Sequence, residues 1–185
     1  MIIQVRDPVS GIVLAVQERL REFFRNGIWH IEIVPDPMTV GEFNRLLGVT
    51  PCLALSWLGF KLDEQARDIH ATIRFSLTII LKTPQNRDNR FLGTQHKPGL
   101  FQVVSAVAAA LHGYTLQEFG TISVSDCEQR YAEGASNENL VFATLNFNVQ
   151  TLFEDILNEA AMDDFLGLLN APTIEDANEE EDDDG

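Results

Sequence analysis

The sequence has few of the residues from which catalytic and metal sites are built. Among its 185 residues there are two cysteines and four histidines, and His30, His70, His96 and His112 are dispersed along the chain. No HxH, HExxH or paired Cys/His spacing occurs, so the usual zinc-binding patterns are missing. A GxSxG turn and a phosphate-binding glycine loop are missing as well. The sequence therefore predicts no catalytic residue, no cofactor and no metal site.

The two cysteines, Cys52 and Cys127, stand alone. Cys52 lies in an apolar run and is expected to be a small buried side chain. The N-terminus, MIIQVRDP, lacks the layout of a secretory signal, which favours free thiols in a reducing compartment over a disulfide. One enzymatic alternative stays open at this point, a hydrolase that uses Cys127 or a histidine.

Long apolar runs are also absent, since none approaches the roughly 20 residues that a membrane-spanning helix needs. We therefore expect a soluble protein that is made in the cytoplasm and has no membrane partner. No internal repeat with a period of 20 to 50 residues is visible, which argues against a solenoid or a propeller.

Basic residues are missing from the last third of the chain. Residues 1–130 contain 13 basic and 13 acidic side chains, whereas residues 131–185 contain 15 acidic and no basic ones, which gives the net charge of −15. Because nucleic-acid affinity comes from Lys and Arg that neutralise phosphates, we expect no sequence-specific nucleic-acid binding. The acidity leaves open an acidic DNA mimic or anti-restriction protein. The acid-rich end, residues 171–185, is predicted to be a disordered tail.

The strongest pattern that is present runs from Ile69 to Lys82, IHATIRFSLTIILK. Apolar and polar side chains alternate along it, and only Ile80 breaks the alternation. Such a pattern, rich in β-branched residues, predicts a long central strand with one face in a core. Residues 140–150 show the same alternation and are predicted to form a neighbouring strand.

Other segments predict the elements that accompany these two strands. Helices are expected after Asp7-Pro8, after the capping box Thr39-x-x-Glu42, and from Pro98 to Leu111. Strands are expected at residues 28–34, 51–60 and, weakly, 121–125, and residues 83–96 are expected to form an exposed polar loop. The predicted fold is a single α/β (α+β) domain over residues 1–151, with a mixed or mostly antiparallel sheet and two main helices packed on it.

Two segments are candidates for contact with another protein. The amphipathic segment 152–170 places Met162, Phe165 and Leu169 on one stripe, which either covers the domain's own core or docks onto another subunit. The loop over residues 83–96 carries Arg87 and Arg90, which are either solvated or ordered against an acidic partner.

The order of these segments resembles a known family. A helix (DPVSGIVLAVQERLREFF) leads to an apolar strand that ends in aromatic residues (PCLALSWLGF). The alternating strand (HATIRFSLTIIL), a polar loop, an apolar helix (LFQVVSAVAAALHGYTL) and a late strand (LVFATLNFNVQT) follow. Together they look like the small tail-completion proteins of Mu-like contractile-tailed phages and prophages, a group thought to act as tail terminators. The resemblance covers roughly residues 8–151.

The resemblance implies a structural role without catalysis. Similar proteins have a sheet flanked by helices and assemble as a ring, commonly a hexamer, on the last ring of tail tube and sheath. The expected partners are other copies of the chain, tube and sheath proteins, and neck or head-completion proteins. The expected location is the neck end of the virion tail, with assembly in the host cytoplasm. Another neck or connector subunit is the nearest alternative.

Overall fold

The computed structural model of the protein describes residues 7–63, 70–82, 87–129 and 140–152. Residues Pro8–Phe153 form one compact unit. A second unit, Met1–Asp7 with Glu154–Gly185, falls outside the described residues except for Asp7. The predicted fold class, α/β with a mixed, mostly antiparallel sheet, is confirmed. The helices are α1 Pro8–Phe23, α2 Val40–Leu47, α3 Arg87–Leu92 and α4 Leu100–Leu111. The strands are β1 His30–Ile33, β2 Cys52–Leu62, β3 His70–Lys82, β4 Thr115–Leu116, β5 Gly120–Gln129 and β6 Leu140–Leu152.

The described strands form one six-stranded sheet with the order β1-β2-β3-β6-β5-β4. Only β1 and β2 are parallel, and every other neighbouring pair is antiparallel. The two strands with the clearest alternation, β3 and β6, lie side by side and pair along their whole length, from His70 with Leu152 to Lys82 with Leu140. The prediction that these two strands are central neighbours is therefore confirmed.

One face of the sheet carries the main core. Helices α1 and α4 cover it, and Ile12, Val16 and Leu20 of α1 are fully buried there together with Val107 and Leu111 of α4. The sheet contributes every second residue of β3, from Ile73 to Leu81, and of β6, from Val141 to Val149. Side chains two apart along a strand lie on the same face, so the period-2 pattern of the sequence produces this core directly.

The opposite face has a second, smaller core at one end, and it explains the single break in the alternation. Ile80 points away from α1 and α4, is fully buried, and packs with Leu46 of α2 and with Cys52 and Ala54 of β2. Helix α2 begins as the capping box predicts, since the Glu42 N–H donates to Thr39 Oγ1 at 3.2 Å. The extra apolar residue in β3 thus marks the place where α2 covers the second face.

One prediction about local structure was wrong, and another gave too short an element. The segment expected to be a polar loop contains α3, which packs on α4 through the Phe91 and Phe101 rings, 5.5 Å apart. The weak strand expected at residues 121–125 is longer and runs to Gln129, with a bulge between Val124 and Asp126. In both cases tertiary pairing overrides a polar local sequence. None of the helices in the described ranges is long and apolar enough to cross a membrane.

Candidate assembly surface

The second face of the sheet is polar beyond the part that α2 covers. In the two central strands this surface is formed by hydroxyl and amide side chains with one charged group, Arg74: Thr72, Arg74, Ser76 and Thr78 of β3, and Thr144, Asn146, Asn148 and Gln150 of β6. The strands on either side add Glu32, Lys61, Asp126 and Glu128 to the same face. The hydroxyl oxygens of Thr78 and Thr144, on directly paired residues, are 3.4 Å apart. The part on β3 and β6 accepts and donates hydrogen bonds but holds no group placed for acid–base or nucleophilic chemistry.

An ion pair fastens α2 to β1 at one side of the sheet. Arg45 of α2 donates to both carboxylate oxygens of Glu32, at 2.5 and 3.1 Å, and His30 Nε2 is 2.8 Å from the same carboxylate. The hydrogen bond from Arg45 lowers the pKa of Glu32 below its ordinary value, although partial burial of the carboxylate opposes this shift. Glu32 in turn raises the pKa of Arg45. The pair is a structural link, because the arginine satisfies the carboxylate in a bidentate arrangement.

Replacing Glu32 with glutamine is expected to destabilise the protein by about 0.5 kcal/mol at neutral pH, the size typical of a largely solvated ion pair. Because the folded-state pKa of Glu32 is lowered from 4.5, its contribution is present above that pH and is lost as the pH falls through the folded-state value. Urea unfolding of wild type and Glu32→Gln at several pH values measures this. A stability difference that stayed constant into strong acid would contradict the assignment.

Apolar side chains are exposed around the same strand. Ile28, which precedes β1, is 63% exposed, Ile33 at its end is 56% exposed, and Val40 at the start of α2 is 78% exposed. Single exposed apolar residues are ordinary on protein surfaces, but a group of them beside an edge strand is typical of a surface that meets another protein.

The second half of β5, at the opposite edge of the sheet from β1, is polar and acidic. Ser125 Oγ donates to the Asn146 carbonyl oxygen at 3.1 Å and to Asp126 Oδ2 at 3.0 Å, and Asn146 Nδ2 donates to Asp126 Oδ1 at 2.7 Å. These bonds hold the bulge of β5 against β6. Residues Asp126 to Gln129 are all exposed.

Neither cysteine is activated as a nucleophile. Partial burial raises the pKa of the Cys127 thiol, and the neighbouring carboxylates of Asp126 and Glu128 raise it further. Burial raises the pKa of Cys52 to about 12. The thiolate is the reactive form of cysteine, so both side chains are poorly suited to attack a substrate at neutral pH. Across the part of the chain that the structure describes, no group of three or more His, Cys, Asp or Glu side chains could hold a metal ion.

The predicted interface residues fall in two regions. Arg87 and Arg90 belong to helix α3 and do not lie in an irregular loop. Arg90 is half-buried and has interactions within the protein. Met162, Phe165 and Leu169 lie outside the described residues, as do nearly all of segment 152–170 and the whole acidic tail. The interface role of all five residues stays a prediction.

Comparison with known proteins gives structural similarity but no sequence match. No family model and no curated protein matches the sequence. Among solved structures, a chain in the structure described as "Virion of native gene transfer agent (GTA) particle" is similar to this one. The two chains are 13% identical with a TM-score of 0.48, and the match covers 80% of this chain and 98% of the other.

The sequence predicted strands at β1 and at the start of β5, but it did not predict that these strands lie towards the two edges of the sheet. The alternation of Ile31 and Ile33 with His30 and Glu32 predicted a short strand, and the structure has it. That β1 is an outer strand depends on the strand order, which hydrophobic alternation does not encode. The only signal available beforehand was the shortness of the strand, since edge strands are often short.

Proposed function

We propose that this protein is a structural component of a phage-like virion, a tail terminator that forms a ring on the tube and sheath and joins the tail to the neck. The proposal is carried by the order of elements that the chain shares with the Mu-like tail-completion family. The elements quoted for that resemblance correspond to α1, β2, β3, α4 and β6 of the structure. The α/β class that the family implies is the class of this fold.

The charge distribution supports the same role. A ring through which DNA passes has to avoid holding the phosphate backbone, and residues 1–130, with equal numbers of acidic and basic side chains, have no excess of cations with which to hold it. The polar surface of β3 and β6 adds one cation, Arg74, among uncharged hydroxyl and amide groups. These properties suit a scaffold that meets DNA without binding it.

In this proposal the protein acts through assembly and not through catalysis. Its partners in this proposal are other copies of the chain, with a hexamer expected, together with tube and sheath proteins on one side and neck proteins on the other.

Deleting the gene in the phage or prophage that encodes this chain tests the proposal. Electron microscopy of the lysate is expected to show tails of abnormal length, because polymerisation is no longer stopped, and expression of the full chain in trans is expected to restore uniform tails. Normal tails detached from heads would point instead to another connector subunit. Normal infectious particles would overturn the proposal.

A truncated chain provides the matched control. A version that lacks residues 173–185 is expected to restore tail length as the full chain does, since the acidic end takes no part in the ring. If this truncation abolished function through the loss of binding to a DNA-binding enzyme, the acidic-mimic alternative would replace the proposal.

A further inference from the structure

We propose that copies of this chain join head to tail, with the outer edge of β1 in one copy pairing antiparallel with the outer edge of β5 in the next. Ile33 then lies opposite Cys127 and Ile31 opposite Gln129. The contact supplies the ring of the proposed function and rests on that function for its biological setting. Its geometric basis lies entirely in the described residues.

Among the described residues, the outer edge of β1 has no strand paired with it. The His30 N–H donates to the Pro51 carbonyl oxygen and the Val34 N–H to the Leu55 carbonyl oxygen, both at 2.9 Å. Residues of a parallel strand alternate between facing their partner and facing away, so Ile31 and Ile33 direct their N–H and C=O groups away from β2. No described strand lies beyond β1. Such an edge is a template for another strand.

Over its second half, the outer edge of β5 has no strand beside it among the described residues. The Ile122 N–H donates to the Tyr114 carbonyl oxygen and the Val124 N–H donates to His112 Nδ1, so these two residues face away from β6 and are occupied. The bulge after Val124 adds one residue, after which Cys127 and Gln129 face away from β6. The short strand β4 pairs only with Gly120 and Thr121 and leaves this half uncovered.

The two open edges lie at the same level of the sheet. One cross-strand row runs Ile33, Leu55, Leu77, Leu145, Cys127, and a second runs Ile31, Leu53, Ile79, Ala143, Gln129. A neighbouring copy therefore meets the first without a shift along the strands. A head-to-tail contact without such a shift is the condition for a closed ring, whereas a shift at each contact gives an open helix.

The strand directions also fit. β1 is parallel to β2, and three antiparallel pairings separate β2 from β5, so β1 and β5 run in opposite directions. Copies related by rotation about an axis along the strands keep these directions, and the new pair is antiparallel. Within a copy, Ile33 and Cys127 are the two ends of the same cross-strand row, and the backbone N–H and C=O groups of both point away from the sheet. Across copies they form a hydrogen-bonded pair with Cα atoms about 5.5 Å apart.

Exposed cations lie near the β1 edge, together with the exposed Asp36, and exposed anions lie at the β5 edge. Arg25, just before β1, and Arg45 on α2 are exposed at one edge, and Asp126 and Glu128 are exposed at the other. In this register Glu32 lies opposite Glu128, and Arg45, already bonded to Glu32, is the cation beside both carboxylates. Exposed Ile33 gains an apolar neighbour in the same contact. These features favour a second copy of the chain as the occupant of each edge.

Disulfide trapping with full-length chains tests this contact. A variant with Ile33→Cys and Cys127→Ser carries a new thiol only at the β1 edge, and the wild-type chain carries an accessible one only at the β5 edge, since Cys52 is buried. The two proteins, with different affinity tags, are mixed and oxidised. Mixed dimers joined through residues 33 and 127 are expected to exceed same-tag dimers by about tenfold, because a Cα separation below about 7 Å permits the bond.

A matched control uses Leu14→Cys with Cys127→Ser, whose new thiol lies on α1 at a site 60% exposed, close to the 56% of Ile33. It is expected to form few mixed dimers. Trapping in Ile33→Cys with Cys127 retained is expected to give a ladder that ends in one closed species. Same-tag dimers alone, or a mixed yield no higher than the Leu14 control, would overturn the contact.

Charged variants give a second measurement that does not depend on oxidation. Ile33→Lys is expected to abolish self-association in light scattering at concentrations where Leu14→Lys leaves it intact, and circular dichroism confirms that both variants are folded. If residues 33 and 127 are trapped in mixed dimers but deletion of the gene leaves the tails normal, the contact is correct and the proposed function is wrong. If the deletion gives abnormal tails but residues 33 and 127 are not trapped in tail-producing cells, the proposed function is correct and the contact is wrong.

Discussion

Replacing Phe147 with alanine is expected to lower the free energy of unfolding by about 3–5 kcal/mol, the usual cost of removing a buried aromatic ring. Phe147 lies at the centre of β6 and is 1% exposed. Its ring stacks on that of Phe75, directly opposite on β3, with centroids 5.3 Å apart. The substitution removes this contact and leaves a cavity between the two strands that hold the sheet together. Urea unfolding followed by circular dichroism measures the loss.

Two control substitutions are compared with Phe147→Ala. Phe147→Leu keeps most of the apolar volume and is expected to cost about 1.5 kcal/mol or less. Leu14→Ala removes a side chain that is 60% exposed on α1 and is expected to change stability by about 0.5 kcal/mol at most. If Phe147→Ala cost no more than Leu14→Ala, the central position of β6 in the sheet would be wrong.

Replacing Gly120 with alanine is expected to cost about 3 kcal/mol or more. Gly120 begins β5 at a φ of +110°, a conformation that side chains disfavour by about 1–3 kcal/mol. A Cβ at this position would also lie well inside contact distance of the Gln150 carbonyl oxygen of β6. The clashing atom is backbone, so no side-chain rotation relieves the overlap, and the β4–β5 turn has to move away from β6.

Gly27→Ala separates the two contributions. Gly27 has a φ of +87°, similar in sign, but a Cβ there would meet no atom within 4 Å. Its replacement is expected to cost about 1–2 kcal/mol, the conformational part alone. Thermal or urea unfolding of both variants gives the comparison. Equal losses at the two positions would show that the close approach to Gln150 contributes nothing.

The sequence predicted the parts of the fold in which side-chain pattern and burial coincide. The alternation in β3 and β6 placed both in the core, and the capping box at Thr39 placed the start of α2 within a residue. Ile80 breaks the alternation because a single apolar face does not account for it. The second face has its own small core under α2, which no local pattern in β3 reveals.

The remaining differences have a common physical origin. The end of β5, Asp126 to Gln129, is held by backbone pairing with β6 and has exposed side chains, so hydrophobicity carries no signal for it. Helix α3 is six residues long and is tied to α4 by Phe91, a single aromatic residue in a polar segment. The edge positions of β1 and β5 follow from strand order, which depends on long-range pairing.

The position of β6 inside the sheet affects how the chain can fold while it is synthesised from the N-terminus. Although β6 is the last described strand, it is inserted between β3 and β5, and it supplies the pairing partner of both. A nascent polypeptide that has reached only as far as Gln129 leaves one long side of β3 open and β5 without its principal neighbour. The sheet is therefore completed only after Leu152 has left the ribosome, and until then the edges of β3 and β5 that await β6 are exposed to non-native pairing.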